Sequence, residues 1–412
     1  MPLRFHEKHH KSKRFFSQDL HFYKPIKFQN SEKECFVGVD CPIDRVYITV
    51  FIKRYQIEMT TPARYRMHKY WGKKPSHPLR SLIQNYSHPF EILLDPFAGS
   101  GVFACEAYLA SRSVIANDIN PAAHFIQSQL LEEDVSVSHE RTILSQLQAG
   151  LQDVRKKWYG ITCPRCGRKA EILSTLRDQN DQPLKNSIAC TCSKTRFTAP
   201  LTRSEQSSLR EKEKELVPNH PHRPLITNAR ISARPGMSTD SVFTKRALNC
   251  HIALHKAIQD TGSSPLLLAF TANLANCSRL VPPIRSRGEF SQGAWMTGFY
   301  TGEQYIENNV FHYFENRVRK VLNGKKDYLQ NLPQTKGLGR KFKFDDLPKN
   351  SAAYILDQYD AKALPYPDES IDYIFTDPPY GDSVPYLEQS ILWNTWLEKT
   401  PPLDREIVIS DS

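Results

Sequence analysis

The stretch "YIFTDPPYG", Tyr373 to Gly381, runs an apolar segment into an acid, two prolines and an aromatic ring. Proline fixes φ and removes the amide donor, so the turn at Pro378 and Pro379 is rich in acceptors and short of donors. Asp377 and the Pro378 carbonyl can therefore both accept hydrogens from one amino group, and Tyr380 offers a flat face for a planar ring. An amine held this way has its lone pair aimed at an electrophile such as a methyl sulfonium. No strong general base is required, because the amine can lose its proton after attack. By itself the stretch also reads as a proline turn closing a buried strand.

A second stretch, "DPFAGSGV", puts Asp95 at a strand end and Gly99 and Gly101 in the turn that follows. Glycine there lets backbone amides approach a ligand, with a helix N-terminus behind them. Asp118 ends the next strand in "SVIAND", where an acid can accept from both hydroxyls of a ribose. The turn lacks the full GxGxxG spacing, which argues against a dinucleotide. Together these residues describe a nucleoside pocket at the carboxyl edge of a parallel sheet.

Cysteines form a third constellation. "CPRC" supplies Cys163 and Cys166, and "CTC" supplies Cys190 and Cys192. Four thiolates in two close pairs suit a tetrahedral structural zinc, although CxxC is commoner than CxC in the second pair. The chain has 9 cysteines, an odd number without secreted-scaffold spacing, which favours reduced thiols and metal ligands over disulfides.

The elements that must position these residues alternate as in an α/β protein. A helix over "LRSLIQNY" leads to a strand at Ile92–Leu94, a helix over "FACEAYLAS", the strand of "SVIAND" and a helix opened by Pro121. The alternation breaks after about residue 131 and resumes near 352 with "AAYILDQYDA" and "SIDYIFTDPPY". Between them lie charged helical stretches, the cysteine pairs, a Pro/Arg loop and two further helical stretches near 243–278 and 303–322. That span is too long for one loop and reads as an inserted domain. Over the 412 residues the net charge is +11 with 40% hydrophobic content, which favours a core and a polyanionic partner such as nucleic acid. "RFHEKHHKSKR", "RSRGEF" and the Arg/His loop at 218–235 are candidate phosphate contacts. The opening residues have no apolar run of the signal-peptide kind, and "PLLLAFTANLA" is too short to span a bilayer, so a cytoplasmic protein is expected, with no membrane partner.

"DPFAGSGV" and "TDPPYG" resemble the cofactor and catalytic motifs of S-adenosylmethionine-dependent amino-methyltransferases that act on adenine N6 or cytosine N4 in DNA. "HKYWGKKPSHPLRSLI" is similar to the motif that meets the methionine end of the cofactor, which implies contacts from Trp71 and Lys74. The cofactor's adenine would lie at Asp360 and Ala361, and the rest of its pocket would be formed by Asp95, Phe97, Gly99, Gly101 and Asp118. Asp377, Pro378, Pro379 and Tyr380 would form the catalytic turn. With the cysteines, the set is similar to adenine-specific DNA methylases containing a zinc ribbon. The resemblance implies an α/β, Rossmann-like sheet interrupted by a mainly helical insertion with a zinc-ribbon-like element. Its expected regions are a basic extension over 1–60, a first core part over 61–131, an insertion over 132–350 with the ribbon at about 161–195, and a second core part over 351–412.

Such a sheet has seven strands, of which the first four are expected here. The chain is thus expected to be a truncated product or one half of a split enzyme, with a second polypeptide supplying strands beside the catalytic one. Two alternatives are an RNA methyltransferase acting on guanine N2, since "DPPYG" also occurs there, and a non-catalytic remnant that binds cofactor or DNA.

Overall fold

The structure is a computed structural model and describes residues 61–333, 339–379 and 384–407. The extension over 1–60, with its expected strand at Arg45–Tyr55, lies outside the described residues, as do Tyr380 and the Gly381–Ser383 stretch beside it.

In chain order the first region contains α1 (Ser76–Tyr86), β1 (Ile92–Asp95), α2 (Val102–Leu109), β2 (Ser113–Asn117) and α3 (Pro121–Leu131). The middle contains α4 (Val137–Gly150), α5 (Gln152–Tyr159), β3 (Gly160–Thr162), β4 (Lys169–Asp178), β5 (Pro183–Ala189), β6 (Phe197–Pro200), α6 (Arg203–Glu213), α7 (Lys245–Thr261), α8 (Ser264–Leu274), β7 (Gln304–Asn308) and α9 (Val310–Gln330). The last region contains β8 (Arg340–Lys341), β9 (Tyr354–Asp357), β10 (Tyr373–Ile374) and α10 (Tyr386–Trp396).

The first sheet runs β10–β1–β2–β9–β8, and every pairing is parallel. Its strands are short apolar runs with Leu93, Val114, Ile115 and Ile355 buried, as expected where helices cover both faces. Register aligns Asp95 with Ala116 and Asn117 with Asp357, so the strands end at one edge. The Phe375 amide extends the outer ladder by donating to the Leu94 carbonyl at 2.9 Å. Among the described residues β10 pairs with β1 alone. The helix α2 is almost wholly buried, and its Glu106 is met inside the protein by Arg64 and Arg80 at 2.8 and 2.6 Å. Asn120 caps α3 by accepting from the Ala122 amide, and Pro121 occupies the first turn.

The second sheet is antiparallel, in the order β3–β4–β5–β6, with β7 added on the far side of β4. The helical stretch expected near 303–322 therefore begins as a strand. Pairing with β4 decides the local structure of Gln304–Asn308, and Asn309 then caps α9 through the Phe311 amide.

One hydrophobic core joins both regions, running from Leu93 and Val114 through Leu266 and Phe270 to Phe314 and Val321. Lys325 of α9 is buried and donates to the Gln129 and Glu132 carbonyls at the end of α3, where a cation suits the helix dipole. Among the described residues no helix is long and apolar enough to cross a membrane.

Buried charge fastens β7. Glu307 accepts from Arg246 Nε at 2.8 Å, from Thr244 Oγ1 at 2.7 Å and from Arg177 of β4, and all three charged side chains are at most 1% exposed. Glu307→Gln would leave two guanidinium groups without their shared counter-charge. A loss of about 3–5 kcal/mol is expected, read as a lower denaturant midpoint for unfolding.

Candidate functional site

At the carboxyl edge of the first sheet the chain turns after β1 through Gly99 and Gly101, both left-handed with φ of +51° and +78°. A Cβ on Gly99 would lie 3.0 Å from the Tyr70 ring, and one on Gly101 would lie 3.0 Å from Gln127 Cγ, so a larger side chain would strain either position. The Gly99 amide donates to Asp118 Oδ2 at 2.7 Å, and the Asn120 amide donates to Oδ1 at 2.9 Å. Each carboxylate oxygen can accept again. Burial pushes the Asp118 carboxyl up to about 6 against the pull of those two amides. Asp95 accepts from the Phe97 amide at 3.1 Å, and burial, with Asp118 and Asp377 nearby, holds its carboxyl well above the usual range.

Around this turn is a cavity whose walls include most of the residues singled out in the sequence. Trp71, Lys74, Asp95, Phe97, Gly99, Asp118, Asp360, Ala361, Asp377 and Pro379 all line it. Gly101 sits behind the turn, where its amide donates to the Ala98 carbonyl at 2.8 Å. Pro378 is exposed and outside the lining, and Tyr380 lies outside the described residues.

Asp377 lies three residues beyond the end of β10 and meets Lys74 across the cavity, with Nζ 2.7 Å from Oδ2. Trp71 stacks on Trp393 of α10 with ring centroids 4.8 Å apart and meets Trp295 edge-on at 6.1 Å. Its indole nitrogen is buried without a hydrogen-bond partner among the described residues. Leu387, Ile391, Trp393 and Trp396 are core residues of α10, as their mixed helical spacing suggests.

Several cavity residues had no assigned role in the sequence. Tyr386, the first residue of α10, lines the cavity and stacks with Tyr70 at 6.0 Å; its only sequence signal is an aromatic soon after the proline pair. Asn117 is buried and accepts from the Tyr359 amide at 2.7 Å while donating to the Tyr359 carbonyl at 3.0 Å and the Pro96 carbonyl at 3.2 Å. Glu406 also lines the cavity; burial and then neighbouring Glu388 and Asp118 push its carboxyl up to about 7. The position of Glu406 beyond α10 gave no signal for a place beside Asp118.

The cysteines converge at the end of the second sheet. All four Sγ atoms lie within 4.8 Å of one another, with Cys163 and Cys192 3.7 Å apart and Cys166 and Cys190 3.6 Å apart. Zinc–sulfur bonds of about 2.3 Å in a tetrahedron place sulfurs about 3.8 Å apart, so the four thiols fit a zinc ion. Arg168 favours the Cys166 thiolate through its backbone amide and then its guanidinium. About one zinc per chain is expected by elemental analysis. Cys163→Ser should lose most of it and lower the melting temperature.

A family model described as DNA methylase matches residues 6–127. The match takes in the glycine turn and Asp118 and ends before the Asp377 turn. No curated protein and no solved structure matches the chain.

Proposed function

We propose that this chain, whose match supports an amino-methyltransferase assignment, transfers a methyl group from S-adenosylmethionine to an exocyclic amine in DNA. Adenine N6 is the preferred target over cytosine N4, because an aspartate heads the proline pair. The observation that carries the reading is the convergence of Asp118, the Gly99 turn, Asp360–Ala361 and Asp377 on one cavity.

When bound, S-adenosylmethionine supplies an electrophilic methyl group on a sulfonium. Asp118 would accept from the ribose hydroxyls with its remaining lone pairs. Asp360 and Ala361 would border the adenine, and the positive φ of Gly99 lets the backbone come close without a Cβ between. Trp71 and Lys74 would face the methionine end. Asp377 and the Pro378 carbonyl would hold the target amine, and Tyr380 would stack on the base. That base must leave the duplex, since its amino group is otherwise engaged in pairing. Arg285 and Arg287 are exposed on the loop that carries Trp295 toward Trp71, which suits contacts to flanking phosphates. A structural zinc on the four cysteines would hold the end of the second sheet.

Among the described residues β10 is paired on one side only, which supports a second polypeptide that pairs with this strand and closes the target pocket. On this reading the purified chain binds cofactor but transfers no methyl group alone. Methyl incorporation into duplex DNA by the chain alone would overturn the requirement for a partner. In the cell that encodes the protein, deleting its gene should remove N6-methyladenine from DNA, measured by mass spectrometry of nucleosides. Loss of N2-methylguanine from transfer RNA, with DNA unchanged, would instead identify an RNA enzyme.

Cofactor binding should also depend on pH. Asp118 accepts best as the carboxylate, and its carboxyl is pushed up to about 6. Calorimetric affinity should therefore be full above that value and fall as pH drops through it. Asp118→Asn should cost about 10- to 100-fold in affinity and flatten the acid limb of the profile.

A further inference from the structure

Lys74 and Asp377 come from opposite ends of the chain and face each other across the cavity at 2.7 Å. Their side chains are 27% and 23% exposed, so the pair is only partly screened by solvent. A charge-assisted contact of this length engages the carboxylate oxygen strongly. Lys74 lines the cavity, and on the proposed reading it faces the methionine end of the cofactor, whose carboxylate would be its second anion. One ammonium thus has two anions to serve, and full contact with either weakens contact with the other.

We propose that Lys74 locks Asp377 in the ligand-free chain and that the cofactor's carboxylate draws Lys74 away. Asp377 then accepts the target amine only after the cofactor is bound, which imposes cofactor-first binding. Lys74 is a positioning residue in this scheme, acting on the amine through Asp377. The inference rests on the cofactor reading above and adds a coupling between the two halves of the cavity. Such coupling is reciprocal: whatever the lock takes from amine binding it also takes from cofactor binding. Removing the negative charge of Asp377 should therefore tighten the grip on any ligand that carries the carboxylate.

The test is calorimetric, with two probes: S-adenosylhomocysteine, which has the amino acid end, and 5′-methylthioadenosine, which lacks it. Asp377→Asn should bind S-adenosylhomocysteine about fivefold more tightly than the unaltered chain, the scale of a partly exposed ion pair. Its affinity for 5′-methylthioadenosine should stay within about twofold, which also shows that the variant is folded. In a Lys74→Met background the Asp377→Asn gain should vanish, because there is no ammonium left to release. The proposal is overturned if Asp377→Asn leaves S-adenosylhomocysteine binding unchanged or weaker. An equal gain with 5′-methylthioadenosine, or a gain that persists in Lys74→Met, would assign the effect to general charge relief and also overturn it. Failure of both probes to bind the unaltered chain would remove the cofactor reading itself, and the lock with it.

Discussion

The cavity depends on a single buried amide. Asn117 stands at the end of the central strand β2, and its side chain reaches the turn after β1 on one side and the loop after β9 on the other. Parallel strands bring their carboxyl ends to a common edge, but they do not fix the loops beyond that edge. Asn117 does so by pairing its carbonyl and its amino group with backbone partners. A buried amide with both ends satisfied is rigid, and an unsatisfied one would be costly. The turn that holds Gly99, the strand end that holds Asp118 and the loop that leads to Asp360 are positioned from this one residue.

Asn120 repeats the arrangement one step further out. It caps α3, donates to Ser390 Oγ at 3.0 Å and accepts from Asn394 at 3.1 Å. The helix α10 is thereby tied to the end of β2, and with it Trp393 and the cavity wall formed by Tyr386. Hydrogen bonds thus set the spacing between the loops, and aromatic packing fills the space behind them.

Much of this was legible in the chain itself. Strands of a covered parallel sheet must be short apolar runs, and the four expected ones correspond to β1, β2, β9 and β10. Acids and glycines at their ends stand out because they break those runs, which is why Asp95, Gly99, Asp118 and Asp377 could be named in advance and are found together. What was not legible depends on distant partners. Gln304–Asn308 has apolar spacing suited to either a strand or the start of a helix, and only β4 decides between them. Tyr386 and Glu406 reach the cavity through the path of the chain after β10, and the pairing of Lys74 with Asp377 spans some three hundred residues. Neither a period nor a motif encodes such contacts.

Trp295 belongs to the middle stretch, yet its ring packs on Trp71 and it receives the Lys69 ammonium at 4.3 Å from its centroid. His68 contacts Thr271 of α8, and Arg64 donates to Asp327 of α9. The middle stretch is therefore not a cassette hung on a self-sufficient catalytic scaffold. It backs the cavity through Trp295 behind Trp71 and supplies much of the core beneath it, so shortening it to a linker would remove the support on which the pocket rests.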